Sequence, residues 1–414
     1  LHLLSRRQRQ MCIRDSFISI AKGADGLTAL NLVMPLYSII FSIGEMIGVG
    51  SAIRYAISKI KKDADADDYF WNAIIWCIMS SMIFVFAGIF FSSDIMRVLG
   101  ADEHIVAVGN NYTKIFMCFA PMFMCNYVTN AFVRNDGAPG IAMSATLFSS
   151  LFNIVFDYIL MFPMNLGMEG AALATALSPI IGMGICSIHF FSKKSSVRLV
   201  VCKPSVRKLV AGSQLGVSAF VGEMSSAVIT LAFNFVILKL TGNVGVAAYG
   251  VVANIAIVTT AVFNGVAQGS QPLISSCFGR GDKDGCTQLK RMGYTTAFVL
   301  AAVMYSILFI FAEQFVAVFN SEGSEMLRLY ATEGVKLYFI GIFFAGINIV
   351  GGGAFSATED AFKAAVVSVA RGFVLILGAV FVMSALFGMT GVWLAYAVAE
   401  GITTFIMLVM ALRV

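Results

Sequence analysis

Apolar runs, each long enough to form a membrane-crossing helix, follow one another along almost the whole chain. Spanning the hydrocarbon core takes about 20 apolar residues in helical form. Eleven such runs can be read, near 27–58, 69–92, 105–132, 138–163, 169–192, 207–240, 244–278, 287–316, 327–357, 362–387 and 390–412. In lipid a segment must satisfy its own backbone polar groups, and runs this long do so as α-helices. The competing structure, a large buried helical protein in water, needs charged outer faces. Charged residues are only 12% of the 414 positions, against about 25% in soluble domains. Mean hydropathy is +0.86. The predicted fold class is therefore all-α, polytopic and membrane-embedded.

Basic residues divide the connectors into two sets. Lys59, Lys61 and Lys62, then Arg134, then Lys193, Lys194, Arg198, Lys203, Arg207 and Lys208, then Arg280, Lys283, Lys290 and Arg291, and then Lys363 fall on alternate connectors. The intervening ones hold only Lys22, Arg97, Lys239 and Arg328. Basic loops stay in the cytoplasm, so the first set is expected inside, together with the linker 193–206. A net charge of +5 spread over such connectors is no nucleic-acid footprint. The eight cysteines form no C-x-x-C pair and the three histidines are isolated, so neither a metal site nor a disulfide framework is expected.

The chain also repeats itself. With a shift of 219 positions, Ile18 meets Ile237, Gly23 meets Gly242, Gly26 meets Gly245, and Gly50-Ser51 meets Gly269-Ser270. With a shift of 221, Gly-Met-Glu-Gly-Ala-Ala-Leu-Ala at 167–174 meets Gly-Met-Thr-Gly-Val-Trp-Leu-Ala at 388–395. Equivalent helices lie six spans apart, an even number, so the halves run the same way through the bilayer. Two parallel six-helix bundles that rock about a cleft are a common carrier plan. The expected organisation is a non-native leader at 1–16, an N-terminal bundle at 17–192, the cytoplasmic linker 193–206 and a C-terminal bundle at 207–414. Residues 17–22 match the end of the run 207–240, so the first helix of the first bundle is expected to be largely missing.

Pro35 with Gly44-Glu45-Met-Ile-Gly-Val-Gly-Ser51, Asn153-Ile-Val-Phe-Asp157 before Gly170-Ala-Ala-Leu-Ala-Thr175, Arg371-Gly372, and Gly391-Val-Trp-Leu-Ala with Glu400 stand in the order and spacing of one known family. From about Phe17 onward the chain resembles the multidrug and toxic compound extrusion transporters. The resemblance implies export of organic, often cationic, compounds in exchange for Na⁺ or H⁺, from a prokaryotic plasma membrane. It implies no enzymatic activity, no cofactor beyond the coupling ion and no ATPase subunit. A small organic substrate and membrane lipid are the expected partners of a monomer. In much of that family an ion-linked carboxylate sits on the first helix, the one expected to be missing. No phosphate-binding G-x-x-x-x-G-K-[ST] loop occurs in the chain, consistent with transport driven by an ion gradient.

Ionisable groups at membrane depth are costly and mark function by default. Glu45, Glu223 and Glu400 are the ion-coupling candidates. Arg371 is a candidate structural partner for Glu400, because a buried pair costs less than two lone charges. Asp157, towards the outer end of its helix, is expected to be structural and to reach water or a backbone donor. Asn153, Asn234, Asn264, Gln268, Asn348 and Tyr37 are candidates to line a substrate cleft. Two alternatives remain at this level. One is a flippase for lipid-linked sugars of the same architecture, whose cleft would need deep bases; Arg371 and Lys114 are the available ones. The other is a membrane-embedded enzyme, for which lone His104 and His189 offer no cluster.

Overall fold

The computed structural model describes residues 4–198, 200–319 and 324–412, without the side chains of 4–17, 19–24, 27 and 412. Every regular element among the described residues is helical. Residues 1–3 of the expected leader lie outside the described residues, and from Leu4 the helix runs on without a break.

Unit 1 comprises Leu1–Phe220. Its helices are α1 (Leu4–Lys61), α2 (Asp68–Val98), α3 (Glu103–Cys118), α4 (Ala120–Asn135), α5 (Pro139–Met161), α6 (Gly167–Phe190) and the opening turns of α7 (Val206–Gly279). Helix α3 starts where the Asp102 carboxylate accepts the Ile105 N–H at 2.8 Å, a capping bond that satisfies one of the free amides of the first turn. It meets α4 at a 45° bend, where Pro121 opens the second helix and cannot continue the hydrogen-bond ladder of the first. The first turns of α7 belong with α1 because glycines let the two backbones touch. A Cβ on Gly50 would lie 2.0 Å from the Gly212 carbonyl oxygen, and one on Gly216 would lie 1.9 Å from that of Met46. Small residues that permit such approach are the usual glue between membrane helices.

Unit 2, Val221–Val414, holds the rest of α7, then α8 (Lys283–Ile310), α9 (Ala312–Phe319), α10 (Glu325–Tyr338), a 3₁₀ turn at Phe339–Gly341, α11 (Ile342–Ala357), α12 (Ala361–Val369), a π-turn at Ala370–Val374 and α13 (Leu375–Leu412). Two of its long helices are broken at glycine. Gly242 has φ 66° and ψ −156°, and Gly388 has φ 58° and ψ −134°. Only glycine adopts that backbone without strain, so these breaks divide spans where the sequence runs end. The core of unit 2 is aromatic: Trp393, Phe233, Phe339 and Phe263 are fully buried, and Tyr338 stacks on Tyr396 at 4.3 Å.

Among the described residues, eight stretches are long and apolar enough to cross a membrane. The bent α3–α4 pair makes a ninth, and the breaks at Gly242 and Gly388 each divide one stretch into two. Eleven spans result, matching the eleven runs. Their outer faces carry bare Ile83, Phe90, Ile310, Leu386 and Phe405. Patches of this kind are rare on soluble monomers and face acyl chains in a membrane protein.

Candidate functional site

Each unit buries a polar centre. In unit 2 it is built around Glu400, on α13, which is 2% exposed. The π-turn at Ala370–Val374 presents Arg371, whose Nη2 and Nε donate to Glu400 Oε1 at 2.7 and 3.0 Å, with Nε also 3.3 Å from Oε2. A single π-turn within a helical run often marks a functional position. Asn348, on α11, gives its amide to Glu400 Oε2 at 2.7 Å and to the Glu400 backbone carbonyl at 2.9 Å. Thr404, one turn beyond Glu400, donates to Asn348 Oδ1 at 3.0 Å. Both carboxylate oxygens are thus engaged, and the charge is matched by a guanidinium that does not deprotonate.

In unit 1 the centre lies between α5 and α6. Asp157 is 0% exposed and Asn153, one helical turn before it, is 2% exposed. The Asn153 amide lies 3.4 Å from the Thr175 hydroxyl on α6. Asp157 thus lies one turn along α5 from the amide that reaches α6, and carboxylate, amide and hydroxyl oxygens are the ligand types that hard cations take. Of the two environments expected for Asp157, water or a backbone donor, burial removes the first: the side chain is completely enclosed. Sequence position could not reveal this, because burial here depends on how closely α5 packs on α6.

The other candidates scatter. Glu45 is half-buried on α1, near enough to Arg134 for their charges to interact. Glu223 is half-buried on α7. Asn234 carries a buried carbonyl oxygen that has no hydrogen-bond partner among the described residues. Gln268 is half-buried and Asn264 exposed, both on the second arm of α7. Tyr37 is packing: its ring stacks on Phe116 at 3.7 Å and its hydroxyl bonds that of Tyr112. One buried cluster has no counterpart among the sequence-based expectations. His189, isolated along the sequence, has Nε2 2.7 Å from Asp136 Oδ2. That carboxylate also accepts the Ser196 N–H at 2.9 Å, the Ser195 and Ser196 hydroxyls, and the Tyr55 hydroxyl at 3.2 Å. No spacing rule links positions 55, 136, 189 and 196, so only the fold could show it.

A repeated helical membrane protein, with a polar centre buried in each of two units, has the construction of a secondary transporter. The profile of the MatE family matches residues 11–159 and 219–381, and the chain belongs to that family. Membership makes it a transporter and removes the membrane-enzyme alternative. It is similar to the multidrug export protein MepA of Staphylococcus aureus strain MRSA252, 28% identical over 398 residues, covering 93% of this chain and 85% of that protein. The MepA of Staphylococcus saprophyticus is 27% identical over 394 residues, with the same coverage of both proteins. Among solved structures, the outward-facing conformation of a multidrug resistance MATE family transporter of the MOP superfamily shares the fold. Its TM-score is 0.91 at 19% identity, covering 99% of this chain and 92% of that one. A MOP superfamily transporter from Pyrococcus furiosus, described as having a binding pocket of reverse polarity, gives a TM-score of 0.89 at 18% identity, with the same coverage.

Proposed function

We propose that this protein exports organic, cationic compounds across a prokaryotic plasma membrane by alternating access, in exchange for Na⁺ or H⁺, with the linker 193–206 on the cytoplasmic side. The observation that carries the reading is the fully buried carboxylate of Asp157, one turn from Asn153, whose amide reaches Thr175. A carboxylate removed from water is strongly penalised when charged, so its affinity for a proton or Na⁺ changes with access to solvent. A difference in ion affinity between inward-open and outward-open states is what coupling requires. Asp157 therefore takes the coupling role, with Asn153 and Thr175 supplying further oxygens. Glu400, already matched by Arg371, holds unit 2 together. Glu45 and Glu223 stand as secondary candidates on α1 and α7.

The resemblance to multidrug exporters supports an organic substrate, and the distribution of bases agrees. A flippase for lipid-linked sugars needs free cations deep in its cleft. Here Arg371 is committed to Glu400, Lys114 is exposed, and half-buried Arg134 lies near enough to Glu45 for their charges to interact. The test is efflux of a cationic dye from vesicles containing the purified protein, with Na⁺ and pH gradients imposed separately. Efflux that follows one of the two gradients is expected. Efflux that ignores both overturns the antiport reading and favours the flippase.

A further inference from the structure

At the end of unit 1 where α2 begins and α6 ends, a groove of about 270 Å³ opens on the outer surface. Trp71 and Ile74 of α2, Met183, Ser187 and Phe190 of α6, and Phe191 just beyond line it. The lining is almost wholly apolar, and Phe191 is 82% exposed. Because the groove starts within the first turn of α2 and reaches the last of α6, it lies at the depth where a bilayer passes from acyl chains to headgroups. Trp is enriched at that boundary.

The chain leaving this groove is basic. Lys193 and Lys194 follow Phe191 by two and three residues, and Arg198, Lys203 and Arg207 come next; all five are exposed. No acidic residue occurs between Phe191 and Arg207. The nearby carboxylates are committed elsewhere. Asp136 accepts His189 and the Ser196 N–H. Asp67 takes Lys59 at 2.6 Å and the Arg198 N–H at 3.3 Å. Asp65 and Asp68 take Lys208 at 2.9 and 2.6 Å. The Asn72 side chain, 2.6 Å from the Ser205 N–H, ties down the far end of the linker. The linker backbone is thus fastened to unit 1; among the described residues Lys193, Lys194, Arg198 and Lys203 form no salt bridge, while Arg207 lies near enough to Asp65 for their charges to interact.

From this juxtaposition we infer that the groove and Lys193–Lys194 form a binding site for an anionic phospholipid, the acyl chain lying along Trp71 and Ile74 and the phosphate between the two ammonium groups. Charge complementarity selects this occupant. A zwitterionic lipid gains the apolar contact alone, whereas an anionic headgroup also gains about the attraction of one juxtamembrane base per Lys. The site is independent of the transport reading, since it needs neither a substrate nor a coupling ion.

Quenching of Trp71 fluorescence by brominated acyl chains tests it in the reconstituted full chain. Brominated phosphatidylglycerol is titrated into phosphatidylcholine vesicles, with brominated phosphatidylcholine in parallel, and the Trp71→Phe variant supplies the background. Saturating quenching at low mole fraction of the anionic lipid is expected, and it vanishes with Trp71→Phe. Two charges removed in Lys193→Gln/Lys194→Gln should shift the midpoint roughly thirtyfold, and Lys193→Arg/Lys194→Arg should restore it. Ser187→Phe, which fills the groove, should abolish saturation for either headgroup. Equal quenching by the two brominated lipids, or an unshifted midpoint in the double Gln variant, overturns the proposal. So does a Trp71 that neither lipid quenches because a second copy of the chain covers the groove.

Discussion

The two units share a repeat but not a polar centre. A shift of 221 sets Glu400 of unit 2 against Pro179 of unit 1, and Tyr396 against Thr175. In the other direction it sets Asp157 of unit 1 against Gly378 of unit 2. In unit 2 the buried carboxylate meets a cation and an amide at hydrogen-bond distance. In unit 1 the carboxylate sits one turn from an amide that reaches a hydroxyl. The first arrangement neutralises its own charge and gains little from a bound ion. The second suits one. The repeat keeps some glycines, such as Gly23 with Gly242 and Gly50 with Gly269, while the buried polar side chains of the two units differ.

The largest expected effect falls on unit 2. Arg371→Leu leaves Glu400 charged and buried without its partner, which costs about 3–5 kcal/mol. Thermal unfolding in detergent should show the loss, and the Arg371→Leu/Glu400→Leu double variant should regain most of it. An unshifted melting temperature in the single variant would mean that the pair does not hold the unit. Next comes unit 1. Gly216→Leu drives a side chain into the α1 backbone at Met46, and overpacking of this kind costs about 1–3 kcal/mol. The same melt reads it, and stability equal to wild type would show that α7 can lift off α1 cheaply.

The smallest effect is where α7 begins, at Lys208 and the α1–α2 connector of unit 1. The bond from Lys208 holds the Asp65 carboxyl below its ordinary range. A carboxylate with a lowered folded-state pKa stabilises above its unfolded pKa, and the contribution fades as pH falls through the folded value. Losing the Asp65 bond in Lys208→Met should therefore cost less than about 1 kcal/mol near neutral pH, because the Asp65 carboxylate is 61% exposed. The variant's melting temperature should converge on that of wild type as the buffer is taken below about pH 4. A gap that persists unchanged in acid would assign it to something other than this carboxylate.

Much of this architecture is legible in the sequence because membrane spans obey a length rule and breaks obey a glycine rule. The runs ending at 240 and 387 stop just before Gly242 and Gly388, where the backbone turns left-handed. Arg371 and Glu400 could be matched because two opposite charges at membrane depth have few other partners. Asp157 could not be read, since a carboxylate near a helix end is wet or dry according to its neighbours. Tyr37 looked like a cleft aromatic and proved to be core, since rings that line a cleft and rings that fill one share the same spacing. The Asp136 cluster joins four distant segments through single side chains, which leave no periodic trace.

On the proposed reading Asp157 exchanges an ion while Glu400 holds unit 2 together. Gradient-driven dye efflux from proteoliposomes, compared between Asp157→Asn and the Arg371→Leu/Glu400→Leu double variant, tests it most directly. Asp157→Asn is expected to keep its melting temperature but no longer respond to the ion gradient, while the double variant still pumps. A gradient response that survives in Asp157→Asn and disappears in the double variant would contradict it.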